Sequence, residues 1–160
     1  MAVAMFLKID GIDGESEDSN HTGEIDVLSW SWGATQSGTM HSGKGGGSGK
    51  VSMGDLTINK LVDKATPNLW KECCTGKHFD KATLTCRKAG GESLVYYKLD
   101  LKGVLISGIQ NGATTDDDRP TEMVSLNFAE FTVEYTPQDA KGGGQGAITG
   151  GFKIASNEAV

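Results

Sequence analysis

The sequence predicts a mainly β fold: a compact, strongly curved antiparallel β-barrel with one short helix and long glycine-rich loops, in a single domain over residues 1–160. Three observations predict it. Apolar and polar residues alternate through most of the chain, the period of strands with one buried face. In three of those runs the apolar set changes parity part-way, beside Gly54, Gly103 and Ala129-Glu130. One extra residue in a strand flips its faces and bends it, so these points read as three bulges, and bent strands close a sheet on itself. Only Lys64 to His78 abandons the two-residue period for helical spacing. At 160 residues the chain can remove roughly two-thirds of its unfolded surface from water, enough for a core without metal or disulfide.

Taken in order, Ala4 to Ile9 is a first strand with Met5, Leu7 and Ile9 on one face, and the acidic GESEDSNHTGE after it is a surface loop. The strand EIDVLSWSWG follows, Glu24 to Gly33; Trp30 and Trp32 share its core face, Ser29 and Ser31 the other. The Ser face meets either solvent or another molecule. Between Gly38 and Gly49 lie six glycines and almost no apolar side chain, so little burial offsets the entropy of ordering. Two readings stand: a solvated connector, or a loop that orders only against another chain. Val51 to Val62 is the next strand, with its parity change at Gly54. In the helix, Thr66 suits the N-cap, Pro67 the first turn and Gly76 the C-terminal turn; Leu69, Trp70, Cys73 and Cys74 form its apolar stripe. A helix of about ten residues is marginal alone, so it packs across the barrel's open end. Lys81 to Lys88 is a strand with Ala82, Leu84 and Cys86 inward and Thr83, Thr85 and Arg87 outward. Ala89 to Glu92 is a tight turn, and a long strand starts at Ser93. Gln110 to Thr121 is a polar loop whose Asp116, Asp117 and Asp118 read as a solvated turn. The strand from Thr121 to Tyr135, the glycines of 142–146 and a last strand, Ala147 to Ala155, complete the chain.

Composition narrows the function. Fifteen basic against twenty-one acidic residues give a net charge of −6, with no basic cluster longer than Arg87-Lys88, so nucleic acid is not a partner. Cys73, Cys74 and Cys86 are odd in number and two are adjacent; they read as small buried apolar residues in a chain made in a reducing compartment. No run is long enough to span a membrane and the N-terminus lacks a cleavable signal pattern, so no membrane anchor is expected and export bypasses a cleaved signal. Gly38 to Gly45 follows a P-loop up to its last position, where Gly45 replaces the Ser or Thr that holds magnesium, and a β pattern rather than a helix resumes at Lys50. No cofactor is expected. His21, His41 and His78 are isolated, with no metal-ligand spacing, and no nucleophile sits in a sequence pattern with a base. The chain reads as a non-enzyme, with surface recognition or assembly as its work. The alternative reading is a lectin-like or small-ligand β-barrel that exposes Trp30, Trp32 and Trp70 for stacking.

EIDVLSWSWG with TQSGTMHSGKGGGSGK, then DKATPNLW, Thr75-Gly76-Lys77-His78, LTCRKAGGE, ESLVYYKLDLKGVLIS and TEMVSLNFAEFTVEYTPQ, strongly resemble the Hcp family, the haemolysin-coregulated proteins of type VI secretion. The resemblance covers nearly the whole chain. It implies a protomer that forms homohexameric rings, stacked into the inner tube of a contractile machine, topped by a VgrG-type spike, surrounded by the sheath and expelled, with small effectors carried in the lumen. It also implies a subunit that is cytoplasmic when assembled and secreted through that machine. On this likeness the loop from Gln36 to Gly49, with Gln36, Ser37, Met40, His41, Lys44 and Ser48, reaches a neighbouring protomer or ring. Asp116, Asp117 and Asp118 lie on the other rim, and Ser29 and Ser31 are candidates for the lumen or a subunit contact.

Overall fold

The computed structural model describes residues 3–38, 50–88, 94–139 and 144–160. In chain order its elements are β1 (Val3–Ile9), β2 (Ile25–Asp26), β3 (Ser29–Ser31), β4 (Ala34–Thr35), β5 (Ser52–Met53), β6 (Leu56–Leu61), α1 (Thr66–Thr75), β7 (His78–Lys88), β8 (Val95–Gly112), β9 (Thr121–Tyr135), β10 (Ile148–Lys153) and β11 (Glu158–Ala159). The alternating runs become strands, all paired antiparallel. The expected strand over Glu24–Gly33 is instead two short ladders, β2 and β3, because its partner changes along its length.

That change of partner closes the barrel. β1, β7, β8, β9 and β6 lie side by side, and the segment from Ile25 to Ser31 joins the two ends. Its first half pairs with β1, Leu7 opposite Ile25, and its second with β6, Trp30 opposite Ile58. The switch falls between adjacent amides: Val27 donates to the Met5 carbonyl at 3.0 Å and Leu28 to the Asn59 carbonyl at 2.8 Å. Successive amides of an extended chain point to opposite edges, so this one segment satisfies both free edges. β9 divides its other edge too, pairing with β6 over its first half and with β10 over its second.

The parity changes have a different origin from the one expected. In β7 the buried Phe79 and Ala82 are three apart, in β8 Leu101 and Val104, and in β9 Phe128 is buried with Phe131 half-buried. All three lie at one level, and register runs unbroken through it: Phe79, Val104 and Phe128 align above, Lys81, Lys102 and Glu130 below. The three strands therefore share a transverse kink, in place of the separate bulges expected at Gly103 and at Ala129-Glu130. Gly103 sits on it with φ +62°, and a Cβ there would lie 3.0 Å from the Ala129 Cβ. The register shifts occur elsewhere, at Cys86/Arg87 and Ile106/Gly108. Gly54 lies in the break between β5 and β6, where its N–H donates to the Gly33 carbonyl at 2.8 Å.

The core is aliphatic, with Leu7, Ile25, Leu56, Ile58, Leu84, Leu99, Val104 and Leu126 fully buried. Trp30 and Trp32 pack against it on the face expected, and both indole N–H groups are used internally, to Cys86 Sγ at 3.2 Å and to Tyr97 Oη at 2.9 Å. α1 packs on β8 and supplies Leu69 to the core. Its N-cap is Ala65, in helical geometry and without a side-chain cap, rather than Thr66. Asp63 supplies that turn, accepting from the Ala65 N–H at 3.0 Å while its own N–H donates to Thr66 Oγ1. Gly76 ends the helix in the left-handed conformation, as expected. The stripe differs: Trp70 and Cys74 are exposed, Cys73 is half-buried, and Glu72 is buried. Of the cysteines only Cys86 is buried, and burial pushes its thiol up, against a smaller pull from Trp30. Thr85 is also buried, beside its register partner Phe6. Phe6 stacks on His21 at 4.3 Å, so the acidic segment after β1 covers this patch.

Candidate functional site

The outward faces of the barrel differ in chemistry. Around Ser29 and Ser31 the antiparallel register builds rows across β3, β6, β9 and β8: Ser31, Thr57 and Ser125 in one, Ser29, Asn59, Met123 and Gln110 in the next. The Asn59 amide donates to Ser29 Oγ at 3.0 Å, and Thr57 and Ser125 hydroxyls lie 3.3 Å apart. At the edge of the patch Asp55 accepts from Ser107 Oγ at 2.6 Å and Asn127 Nδ2 at 2.8 Å. Ser29 and Ser31 thus belong to a carpet of hydroxyls and amides with little charge. Across β7, β8, β9, β10 and β11 the opposite holds, with Lys81, Lys102, Glu130, Lys153 and Glu158 in one row and Lys98 beside Glu134 in another. Lys81 and Lys98 share Asp100 at 3.8 and 4.0 Å, pairs too exposed to add much stability.

Two features lie beyond the two ends of β6. At one end β4 and β5 pair, Thr35 opposite Ser52, and carry the glycine segment; Gln36 and Ser37 are exposed there, while Met40, His41, Lys44 and Ser48 lie outside the described residues. At the other end Leu61 pairs with Thr121. The strands consume both ends of the expected loop, leaving 113–120 as the connection. It is held by Arg119, whose Nε and Nη2 donate to the Val62 carbonyl at 3.2 and 2.8 Å, and by Asp117 Oδ2, which accepts from the Thr114 N–H at 3.1 Å. Asp116, Asp117 and Asp118 are exposed. The turn expected over Ala89–Glu92 lies outside the described residues.

Sequence reasoning missed a buried charge cluster behind the uncharged face. Lys60 and Glu122 are directly paired across β6 and β9, both side chains fully buried and in contact, and Lys60 Nζ also donates to Asp63 Oδ1 at 2.9 Å. Oriented by its neighbours, the Asn111 amide donates to Glu122 Oε1 at 2.8 Å and accepts from Trp70 Nε1 at 3.3 Å. The signal was present, since Lys60 has the inward parity of Leu56 and Ile58, and Glu122 that of Val124 and Leu126. At the β1–β7 side, Arg87 forms a bidentate pair with Asp18 and lies over the Phe6 ring. That guanidinium, with help from the Asn20 N–H, holds the Asp18 carboxyl below its ordinary value. Burial raises Asp26, with nearby Asp63 adding to it. Among the described residues no group of three His, Cys, Asp or Glu side chains is placed to hold a metal.

The family described as type VI secretion system effector, Hcp, matches residues 6–135. The chain belongs to the Hcp family. It is 52% identical over 159 residues to protein hcp1 of Pseudomonas aeruginosa, covering 98% of each chain. A solved type six secretion system protein superposes with TM-score 0.94 at 33% identity, over 99% of this chain and 100% of that one. Hcp1 from Salmonella typhimurium gives 0.83 at 39% identity over the full length of both. As an Hcp protein the chain is a type VI secretion tube subunit that self-assembles into rings. The lectin-like alternative finds no support: Trp30 and Trp32 are packed and hydrogen-bonded inside, leaving Trp70 as the more exposed indole.

Proposed function

We propose that this Hcp chain works as a single non-catalytic domain whose homohexameric rings stack through the loops at the two ends of β6, with the Ser29 and Ser31 face lining the lumen. The observation that carries this reading is the arrangement itself: the β4–β5 pair beyond one end of β6, the 113–120 loop beyond the other, and the uncharged sheet face between them. A repeated heterologous contact closes a ring, and end-to-end contacts stack it. A lumen of hydroxyls and amides holds passing cargo weakly, without the strong attraction a charged wall exerts on oppositely charged polypeptides. The mixed-charge face across β7–β11 then turns outward to the contractile sheath, where contacts of exposed ions are weak and releasable. A VgrG-type spike caps the stack, small secreted effectors occupy the lumen, and the assembled tube leaves the cytoplasm without a cleaved signal.

Deletion of residues 43–49 is the test. The protomer and its ring persist, by circular dichroism and by size in solution, while tubes shorten under electron microscopy and secretion falls. Long tubes and normal secretion from this variant refute the loop assignment.

A further inference from the structure

Two apolar side chains interrupt the uncharged face. Leu28 is 57% exposed and Met123 38%, and both line one depression of about 390 Å³ with Asn59, Gln110, Asn111, Gly112 and Thr121, at whose floor lie Lys60 and Glu122. The charges beneath it cannot recruit an ionic ligand, because Lys60 and Glu122 are fully buried against each other and Asn111 satisfies the second Glu122 oxygen. On the far side of Leu28 lie Asp26, Asp63, Glu15 and Arg119; Asp63 is tied to Lys60, and Arg119 Nη2 approaches Glu15 at 3.7 Å. Asn59 Nδ2 is engaged by Ser29. Its carbonyl oxygen and the exposed Gln110 amide suit the N–H and C=O groups of an extended peptide.

We propose that this depression is a cargo subsite, which takes one uncharged apolar side chain of Leu to Phe size from an extended polypeptide while Asn59 and Gln110 bond its backbone. The proposal rests on the lumen reading above. Apolar walls, an amide rim and neutralised charges select that chemistry over an acidic, basic or phosphorylated ligand. Repetition around a ring makes a weak site useful, since several side chains of one tethered cargo bind at high effective concentration.

The test uses assembled rings of the full chain with labelled Leu and Met methyl groups, titrated with N-acetyl-leucinamide, N-acetyl-lysinamide and N-acetyl-glycinamide. The Leu28 and Met123 methyl signals shift with the leucine probe, which binds about tenfold tighter than the other two, and Met123→Gln removes the preference with the fold and ring unchanged. Equal shifts from all three probes, or none, overturn the subsite. Cryo-electron microscopy of the same rings judges the lumen reading separately: Met123 on the outer wall refutes the lumen while the titration still decides the subsite.

Discussion

Replacing Lys60 by Met keeps most of the side-chain volume and removes the charge. Glu122 then stays fully buried, with only the Asn111 amide for company. Breaking a buried pair from one side costs about 3–5 kcal/mol, because water cannot reach the orphaned carboxylate, whereas replacing both partners with apolar groups is close to neutral. Lys60→Met is therefore expected to lose about 3–5 kcal/mol, a fall of about 6–20 °C in Tm for a chain of this size. The double variant Lys60→Met with Glu122→Met is expected to recover at least ~2 kcal/mol of that loss, the remainder belonging to Asp63, which keeps the Ala65 N–H but loses Lys60. Guanidinium unfolding followed by tryptophan fluorescence measures this at protomer concentrations below ring formation, repeated at a second concentration because assembly itself adds stability. A Lys60→Met loss under about 1 kcal/mol, or additive single variants, refutes a coupled buried pair.

Gly103→Ala forces a side chain into the left-handed region at φ +62° and against Ala129, so it is expected to cost about 1–3 kcal/mol in thermal unfolding. Gly108→Ala serves as its control, since a Cβ there meets Ser125 at an ordinary 3.6 Å. The Asp18–Arg87 pair predicts an acid limb. Because the folded-state value of Asp18 lies below its ordinary 3.8, the pair's contribution is complete well above that pH and is lost as pH falls through and below it. The gap in urea midpoint between the parent and Asp18→Asn should accordingly be constant near neutrality and shrink below about pH 4; a gap independent of pH contradicts the sign.

What the residues revealed beforehand follows from which interactions are local. Alternation exposed the strands, and the two-residue spacing of Trp30 and Trp32 placed both on the core, because a strand's faces are set by its own backbone. Gly76 could be read as a helix stop for the same reason. The parity changes signalled curvature correctly, but whether Gly103 and Ala129 mark separate bulges or one shared kink depends on which strands align, and alignment is a property of the whole sheet. Asp63 displaced Thr66 from the cap because it is also held by Lys60, a cooperation no short window contains. The uncharged face was visible only as Ser29 and Ser31; Thr57, Asn59, Ser125 and Asn127 join them through contacts between residues up to 72 apart in the chain.

The segment from Ile25 to Ser31 also orders events during synthesis. It emerges early, yet its second half has no partner until β6 appears, and the strand that flanks β6 on the other side, β9, is among the last parts made. Contacts this distant in sequence form slowly, so a ribosome-bound or newly released chain keeps open edges on β1 and β6 for longer than it takes the β7–β8 hairpin to zip. Such edges recruit any neighbouring strand. Closure by the Val27 and Leu28 amides thus acts as a checkpoint on maturation: the same stroke that retires both sticky edges brings Ser29 and Ser31 into line with β6, so a protomer acquires its finished uncharged face only when it has stopped being a hazard to its neighbours.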